Sequence, residues 1–357
     1  MADSSPARRR LSVVNRTDAK IGSGFAADGT VDPQQAGKVD SSEARRGSVS
    51  SKQCGVVQTY ASLSQVGQVP HNPLKQNQDS KFSLLRFANI ENCNYFSVCD
   101  GHGYYGGEVS GFVKKTLPAC LAAEKNLATD PQTCIRKAFM KTEKELESCG
   151  VDVAFSGTTC VSVMIKNRAL ICANIGDSRA VMARCRAGKW YAIPLSDDHK
   201  PDRADEMKRI VASGGKVESF KGDQGEAIGP ARVWLRHTEA PGLAMSRSFG
   251  DGIAKTVGVT CEPEFKSAEM TSDDKFIVLA SDGVWEFLSN EDVVKIVRRH
   301  WQKNNAESAC DELVQQAVLR WKQEEEVVDD TTVIVVFLDV PPAEGGDAKK
   351  KEESRSN

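Results

Sequence analysis

The sequence has almost no excess of one charge and no apolar run long enough to cross a bilayer. Its 47 lysines and arginines nearly balance its 49 aspartates and glutamates, which gives a formal net charge of −2. Phosphate backbones attract a basic surface, so this balance argues against a nucleic-acid partner. No stretch approaches the roughly 20 apolar residues of a membrane-spanning helix, so no membrane partner is expected.

The amino terminus lacks the usual targeting signals, and the cysteines lack a pairing pattern. No apolar core follows the arginines of MADSSPARRR, and Ala2 stands where N-myristoylation requires glycine. The 11 cysteines are an odd number and include no C-x-x-C pair. We interpret them as reduced thiols within a core, and we therefore expect a cytoplasmic or nuclear protein.

Both ends of the chain contain few large apolar side chains. Residues 1–52 are rich in Ser, Ala, Gly, Asp and Arg, and residues 342–357 are mostly small or charged. Such segments bury too little apolar surface to offset the entropy of ordering them, so both are predicted to be disordered tails. Residues 53–341 are predicted to form one folded domain, and a monomer is expected.

Apolar periodicity predicts antiparallel strands and pairs of helices. The run RALICANIGDS is followed at once by RAVMARCRAGKWYAIPLS, and such direct strand-turn-strand links favour antiparallel pairing. Two helical stripes lie between residues 109 and 146, and two more lie between residues 289 and 321. The combination predicts an α+β fold, a four-layer α-β-β-α sandwich with two central, mostly antiparallel sheets flanked by helix pairs.

Several apolar runs end in aspartate beside a turn-forming residue. Asp100, Asp177 and Asp282 end such runs, and Asp329 with Asp330 directly precedes the run TTVIVVFL. Gathered in one place, these carboxylates would bind hard divalent cations such as Mg²⁺ or Mn²⁺. Two unpaired carboxylates about 4 Å apart repel by roughly 4 kcal/mol at an effective dielectric of about 20, and a cation removes that cost. The alternative is that they are plain turns at different ends of the sandwich and never meet.

The sequence Asp100-Gly101-His102-Gly103 adds further chemistry. Glycine allows close backbone approach, so the Gly101 carbonyl can serve as a metal ligand. His102, beside a metal-bound carboxylate, is a candidate proton donor to a leaving group near neutral pH. A lone histidine in a loop is more often only a surface residue, but the surrounding motif favours the catalytic interpretation.

Eight sequence segments occur in an order that is typical of one enzyme family. They are NQDS at 77–80, FSVCDGHG at 96–103, SGTTCVSV at 156–163, ANIGDSRAVM at 173–182, LSDDHKPDRADEMKRI at 195–210, GLAMSRSFGD at 242–251, ASDGVWEFLSN at 280–290 and DDTTVIVV at 329–336. Together the segments resemble the PPM family of metal-dependent Ser/Thr protein phosphatases, the protein phosphatase 2C type. The resemblance covers almost the whole predicted domain and implies a catalytic domain that acts on phosphoserine and phosphothreonine proteins in signalling.

The resemblance implies a two-metal site. Asp100 matches a carboxylate that bridges two Mg²⁺ or Mn²⁺ ions, and Gly101 matches a residue that offers its carbonyl oxygen to the second ion. Asp282 and Asp329 match the other carboxylates on the first ion. The implied mechanism is in-line attack on phosphorus by a hydroxide activated between the ions. No cysteine nucleophile is needed.

Other site residues follow from the same resemblance. Asp79 matches an acid that holds the waters around the ions, and Asp198 matches a ligand of a weaker third ion. His102 matches the proposed general acid, which protonates the departing serine or threonine oxygen. Asp177 and Asp251 fall at motif positions that mainly shape loops, and the structural interpretation is favoured for both.

The chain departs from the family pattern at three places, one of which is Asp330, where asparagine is frequent; it leaves the neighbouring Asp329 intact. Gln78 stands where the first motif often has glutamate, which implies weaker binding of the second ion. The family's phosphate-holding arginine falls at Leu74, with Lys75 beside it. Lys75 is therefore the candidate substrate-binding residue, although lysine reaches phosphate as a point charge and lacks the bidentate fork of arginine.

A region corresponding to the family's substrate-selecting flap covers about residues 203–249. Its middle, residues 216–237, is predicted to be loop-rich with an exposed Trp234. The alternative, an ordinary surface loop, is equally favoured.

Two motifs in the N-terminal tail resemble sites for basophilic kinases. They are Arg9-Arg10-Leu11-Ser12 and Arg45-Arg46-Gly47-Ser48, with Ser12 and Ser48 as the acceptors. Such short matches often arise by chance in tails rich in serine and arginine, and that interpretation is favoured.

Two rival functions stay open beside the phosphatase. One is a catalytically weak relative that binds phosphoproteins as a regulator, a reading motivated by Gln78 and Leu74. The other is a different two-metal phosphoesterase such as a nuclease, against which the near-neutral charge argues.

Overall fold

A computed structural model describes residues 45–48, 55–222 and 224–342 of the 357-residue chain. The predicted N-terminal tail lies outside the described residues except for a short strand at 45–48, and the predicted C-terminal tail does so from residue 343 onward. None of the helices in the described part is long and apolar enough to cross a membrane. All ten cysteines in that part are free thiols, and eight of them are buried.

The described chain alternates strands with a few helices. The strands are β1 (Arg45–Ser48), β2 (Val57–Gln65), β3 (Asp79–Leu84), β4 (Cys93–His102), β5 (Gly157–Thr158), β6 (Cys160–Lys166), β7 (Ala169–Ile175), β8 (Arg179–Arg186), β9 (Lys189–Pro194), β10 (Gly215–Lys221), β11 (Ala227–Leu235), β12 (Pro241–Leu243), β13 (Phe249–Gly250), β14 (Glu264–Glu269), β15 (Asp274–Ala280) and β16 (Thr331–Leu338). The helices are α1 (Gly106–Ala122), α2 (Pro131–Glu147), α3 (Ala204–Ala212), α4 (Gly252–Lys255), α5 (Asp282–Trp285), α6 (Asn290–Trp301) and α7 (Ala306–Glu324). A short 3₁₀ helix covers Phe87–Asn89.

Two large sheets form the centre of the fold. One has the strand order β1-β2-β16-β15-β8-β9, and the other has the order β13-β5-β4-β6-β7-β14, with β3 also paired to β4. Neighbouring strands pair in antiparallel fashion throughout both sheets. The first sheet is covered by α5, α6 and α7, and the second by α1 and α2. The predicted four-layer α-β-β-α sandwich is confirmed.

Strand β16 shows how the sequence produces the layers. All eight of its residues are buried. The odd-numbered positions from Val333 to Phe337 pack against the helices, and the even-numbered positions from Ile334 to Leu338 pack between the sheets. Alternate side chains of a strand point to opposite faces, so a strand covered on both sides is apolar throughout. This burial fixes the register of β16 and therefore the position of the aspartates that precede it.

Candidate active site

Four of the predicted carboxylates come to one end of the sandwich, where the two sheets meet. In the second sheet, Asp79 begins β3 and lies directly opposite Asp100 of β4. In the first sheet, Asp282 follows β15 and begins α5, and Asp329 precedes the neighbouring strand β16. A hydrogen bond from Ser281 Oγ to Asp79 Oδ2, 2.8 Å long, joins the two halves. The alternative in which these turns never meet is wrong for these four residues.

Three carboxylates of this cluster hold protons more tightly than isolated ones, those of Asp79, Asp100 and Asp329. Removal from water, followed by the charge of Asp330, raises the pKa of Asp79 to about 8. Removal from water, followed by the charge of Asp282, raises the pKa of Asp329 to about 7. The pKa of Asp100 is also raised well above its usual value, first by burial and then by the neighbouring carboxylates. The protein thus concentrates negative charge that a bound cation would neutralise.

The donor atoms present fit hard divalent cations. Asp79 Oδ1 is buried and has no hydrogen-bond partner in the described part of the chain. A Cβ atom on Gly101 would lie 2.2 Å from the carbonyl oxygen of Gly106, so only glycine fits at that place in β4. Within the described ranges, no three His, Cys, Asp or Glu side chains stand in a ready-made metal-binding arrangement. The type and charge of the donor atoms therefore match Mg²⁺ or Mn²⁺.

Lys75 forms an ion pair inside the protein. Its Nζ lies 2.5 Å from Asp330 Oδ1, and the same carboxylate accepts hydrogen bonds from the backbone N–H groups of Gly67 and Gln78. Gln78 Nε2 also donates to the carbonyl oxygen of Gly103 at 2.8 Å. Asp330 thus ties the segment around Lys75 to the start of β16. The predicted phosphate-binding ammonium lies at the edge of the cluster, with a partner that the sequence did not indicate.

Asp198 is engaged by an arginine. Arg179 donates to both of its carboxylate oxygens, at 2.9 Å and 2.7 Å, and to Asn290 Oδ1 at 2.8 Å. Such a two-pronged contact satisfies the charge of Asp198. A third cation at this carboxylate would have to compete with the guanidinium.

His102 is held by an acid that sequence reasoning assigned only to loop shape. Asp251 Oδ2 lies 2.7 Å from His102 Nε2. Burial alone would lower the pKa of His102, but the charge and hydrogen bond of Asp251, with the charges of Asp177 and Asp282, outweigh it and raise the pKa above its usual value. Asp177 in turn forms an ion pair with Lys200. The FGD motif draws attention to Asp251 in the sequence, but it does not show which side chain Asp251 contacts in the fold.

Comparison with known proteins assigns the chain to a family. A sequence model of protein phosphatase 2C matches residues 71–325, more than two thirds of the chain. The chain belongs to the protein phosphatase 2C family. It is therefore a metal-dependent protein serine/threonine phosphatase, as the resemblance predicted.

Relatives of this protein phosphatase 2C occur in plants. "Probable protein phosphatase 2C 35" of Arabidopsis thaliana is 34% identical over 255 residues, which cover 68% of this chain and 73% of the relative. "Probable protein phosphatase 2C 12" of Oryza sativa subsp. japonica is 36% identical over 292 residues, which cover 69% of this chain and 73% of the relative. The crystal structure of serine-threonine phosphatase 2C from Toxoplasma gondii superposes with a TM-score of 0.70 at 19% identity, over 83% of this chain and 99% of that one. This last likeness supports the fold.

The flap region of this phosphatase is more ordered than predicted. Residues 216–237 contain most of β10 and all of β11, which form a small antiparallel sheet with β12. Trp234 is only 6% exposed, so the prediction of an exposed side chain is wrong. Its Nε1 donates to the Glu218 carbonyl oxygen at 2.8 Å, and its ring packs edge-on against Phe220. The ring also lies over Gly242, where a Cβ atom would be 2.9 Å from it, and periodicity alone did not show this packing.

Glu206 anchors the flap to the segment that carries Asp251. It lies buried on α3 and accepts hydrogen bonds from Arg209 at 2.6 Å and from Arg247 at 2.7 Å. Although burial acts in the opposite direction, these arginine contacts hold the pKa of Glu206 far below its usual value. A buried carboxylate paired in this way fixes the position of α3 against residues 246–251.

Proposed function

We propose that this enzyme hydrolyses phosphoserine and phosphothreonine monoesters at the carboxylate cluster, with two Mg²⁺ or Mn²⁺ ions held by Asp100, Asp282 and Asp329. The carbonyl oxygen of Gly101 and the carboxylate of Asp79 complete the donor set. The observation that carries the proposal is the convergence of the four carboxylates, where Asp79 lies opposite Asp100 and the strands next to Asp282 and Asp329 are paired.

The side chains around the cluster have distinct tasks in this proposal. Two such ions, when bound, supply an activated water and offset the charge of the phosphoryl oxygens. His102 gives a proton to the departing serine or threonine oxygen, which is worth about 10²–10⁴-fold in rate. Lys75 has one of its three N–H donors on Asp330, so the other two can bind phosphate while the ion pair persists. A third ion at Asp198 stays a prediction.

Phosphate release from a phosphothreonine peptide tests the proposal. We expect turnover with Mn²⁺, loss of turnover with EDTA, and recovery when excess Mn²⁺ is added back. The reason is that the proposed reaction requires bound cations, which EDTA removes and excess Mn²⁺ replaces. Release that continues in EDTA would contradict the proposal. Peptide binding without turnover in Mn²⁺ would instead support the rival function of a phosphoprotein-binding regulator.

The remaining predictions about partners are untested. Ser12 lies outside the described residues. Arg45–Ser48 forms β1, where Ser48 pairs with Thr59 of β2, so a basophilic kinase would have to take this strand off the sheet edge. We propose a cytoplasmic or nuclear location and a monomeric state on the sequence arguments alone.

A further inference from the structure

The carboxylate of Asp251 is packed against one nitrogen of the His102 ring. Its Oδ2 lies 2.7 Å from His102 Nε2, and only 4% of its side chain is exposed. The same oxygen accepts a hydrogen bond from Ser248 Oγ at 2.5 Å. A Cβ atom on Gly157 would lie 2.3 Å from this oxygen, so the carboxylate has room only beside glycine. The contact is therefore oriented by packing on several sides.

The backbone of Asp251 adopts a conformation that most residues avoid. Its φ of 53° and ψ of 49° lie in the left-handed region, and Gly250 before it has a φ of +73°. This region costs about 1–2 kcal/mol for a residue with a Cβ atom, and aspartate is among those that tolerate it. The Asp251 N–H donates to the Ser156 carbonyl oxygen at 2.9 Å, which holds the turn. Strain at a residue that meets a candidate catalytic group indicates functional positioning.

The hydrogen-bonding roles of the two ring nitrogens of His102 determine which of them can donate a proton to the substrate. An ionised carboxylate only accepts hydrogen bonds, so His102 Nε2 carries a hydrogen in the contact with Asp251. Nδ1 is buried and has no hydrogen-bond partner among the described residues. We propose that Asp251 is a positioning residue that orients the ring so that Nδ1–H donates the proton to the leaving oxygen. This inference rests on the phosphatase reaction proposed above.

The proton transfer in this step is balanced. The oxygen of the attacking water bonds to phosphorus as the bond to the serine or threonine oxygen breaks, and the electron pair left on that departing oxygen takes the proton from Nδ1. The Nδ1–H bond breaks as the O–H bond forms, and the neutral ring keeps its Nε2 hydrogen toward Asp251. Solvent returns a proton to Nδ1 before the next turnover.

Substitution Asp251→Asn tests the positioning role. Asparagine has nearly the same size and also tolerates the left-handed region, but its amide no longer requires a hydrogen on Nε2. We expect the ratio of kcat on a phosphothreonine peptide to kcat on p-nitrophenyl phosphate to fall about 30-fold, because nitrophenolate leaves without a proton. His102→Ala should lower the same ratio, and the double variant should lower it no further. Asp339→Asn, at an exposed carboxylate just after the far end of β16, should leave the ratio unchanged.

Two outcomes would overturn the positioning role. One is an equal loss on both substrates in Asp251→Asn, and the other is an additional loss in the double variant. The ¹⁵N spectrum of the five histidines gives a test without turnover. We expect Nε2 of neutral His102, assigned with His102→Ala, to be protonated in the wild type and to lose that preference in Asp251→Asn. If the wild type fails to hydrolyse p-nitrophenyl phosphate in Mn²⁺, the proposed function itself fails instead.

A separate observation concerns the surface beside the cluster. Among the described residues, the three most exposed large apolar side chains are Leu74, Tyr104 and Phe155, at 84%, 75% and 57%. All three belong to segments that border the carboxylate cluster. Water-exposed apolar side chains that lie together at a site mark a contact surface more often than single scattered ones do.

Local contacts bring the segments of Tyr104 and Phe155 together, and Leu74 is adjacent in sequence to Lys75 at the edge of the cluster. Tyr104 follows Gly103, where a Cβ atom would lie 2.3 Å from the carbonyl oxygen of Phe155, so the two segments touch. The Tyr104 ring packs edge-on against that of Tyr105, with centroids 4.7 Å apart. Leu74 precedes Lys75, whose ammonium lies on Asp330 beside the cluster. We name Leu74, Tyr104 and Phe155 the apolar rim.

We propose that the apolar rim binds apolar side chains that flank the phosphorylated residue of a substrate protein. A phosphoserine or phosphothreonine side chain must reach the carboxylate cluster, so the polypeptide that carries it has to cross the surrounding surface. Exposed aromatic and leucine side chains there gain free energy when apolar neighbours cover them. The inference rests on the proposed function and adds a substrate preference to it.

Matched peptides test this preference. One phosphothreonine peptide carries Leu and Phe on either side of the phosphorylated residue, and the other carries Ser at those positions. We expect wild type to favour the first about tenfold in kcat/KM, and Tyr104→Ser with Phe155→Ser to remove the preference. Turnover of p-nitrophenyl phosphate, which has no flanking chain, should not change. Leu319→Ser, at a side chain 52% exposed on α7, is the control.

Equal kcat/KM for both peptides in the wild type would overturn this proposal, as would the same loss in Leu319→Ser. If the rim substitutions changed only the oligomeric state in gel filtration, the occupant would be a second copy of the chain and the substrate proposal would be wrong. Turnover of p-nitrophenyl phosphate in Mn²⁺ separates each of these results from failure of the proposed function.

Discussion

Asp282→Asn is expected to lower kcat on a phosphothreonine peptide by about a thousandfold or more while the protein stays folded. Asparagine keeps the size of the side chain at the start of α5 but removes the negative charge that a divalent ion requires. The charge of Asp282 raises the pKa of Asp100 and of Asp329, so its removal relieves repulsion and should not lower stability. Initial rates at saturating Mn²⁺ and a thermal melt followed by circular dichroism give the two readouts.

A matched control distinguishes the loss of a metal-site carboxylate from the loss of a carboxylate elsewhere in the protein. Asp339 is exposed just after β16, so Asp339→Asn removes one carboxylate from the same sheet at its other end. We expect this variant to retain full activity. Wild-type turnover in Asp282→Asn would show that Asp282 is not a required metal ligand. An equal loss of activity in Asp339→Asn would show that the effect is not specific to the site.

The metal-free protein is expected to become less stable as pH rises from 6.5 to 8.5. The pKa of Asp79 is raised to about 8 and that of Asp329 to about 7, against an ordinary value of 3.8. Between these values the folded state binds protons that the unfolded state has released, so unfolding is favoured as pH rises. Each unit of pKa difference corresponds to about 1.4 kcal/mol, and we expect the melting temperature in EDTA to fall by roughly 5 °C.

Other titrating groups do not reverse this trend in the chosen window. The raised pKa of His102 acts in the same direction. The buried His199 has a lowered pKa and affects stability only below pH 6.5, and Glu264, with a pKa of about 2, does so only below about pH 4.5. Asp79→Asn should flatten the curve, and excess Mn²⁺ should raise the melting temperature most at pH 8.5. A melting temperature that rises with pH in EDTA would contradict the cluster electrostatics.

The layers and the individual carboxylates could be predicted from the sequence because both follow from local patterns. Runs such as TTVIVVFL are apolar on both faces, and aspartates that border them must lie at strand ends. Their convergence depends on which strands become neighbours. Asp329 reaches Asp282 because β16 pairs with β15, and Asp79 reaches Asp100 because β3 pairs with β4. Only the resemblance to a family supplied that information.

The partners of polar side chains were the least predictable part of the site. Lys75 was interpreted as a phosphate ligand, and it forms an ion pair with Asp330. Asp198 was interpreted as a metal ligand, and it is bound by Arg179. In both cases the sequence gives the charge of a residue but not the opposite charge that folding brings beside it. For the same reason, the sequence does not predict the contact of Asp251 with His102.

The arginine contacts of Glu206 have a consequence for how the enzyme can diversify. Arg247 lies four residues before Asp251, and Glu206 binds it from α3. A relative's flap could therefore be transplanted only as a cassette that runs from α3 through Asp251, with its own matched acid and arginines. A chimaera with a junction between Glu206 and Arg247 would combine an acid from one parent with an arginine from the other. Exchange of sequence between relatives should therefore occur outside this unit, even where the surface loops vary.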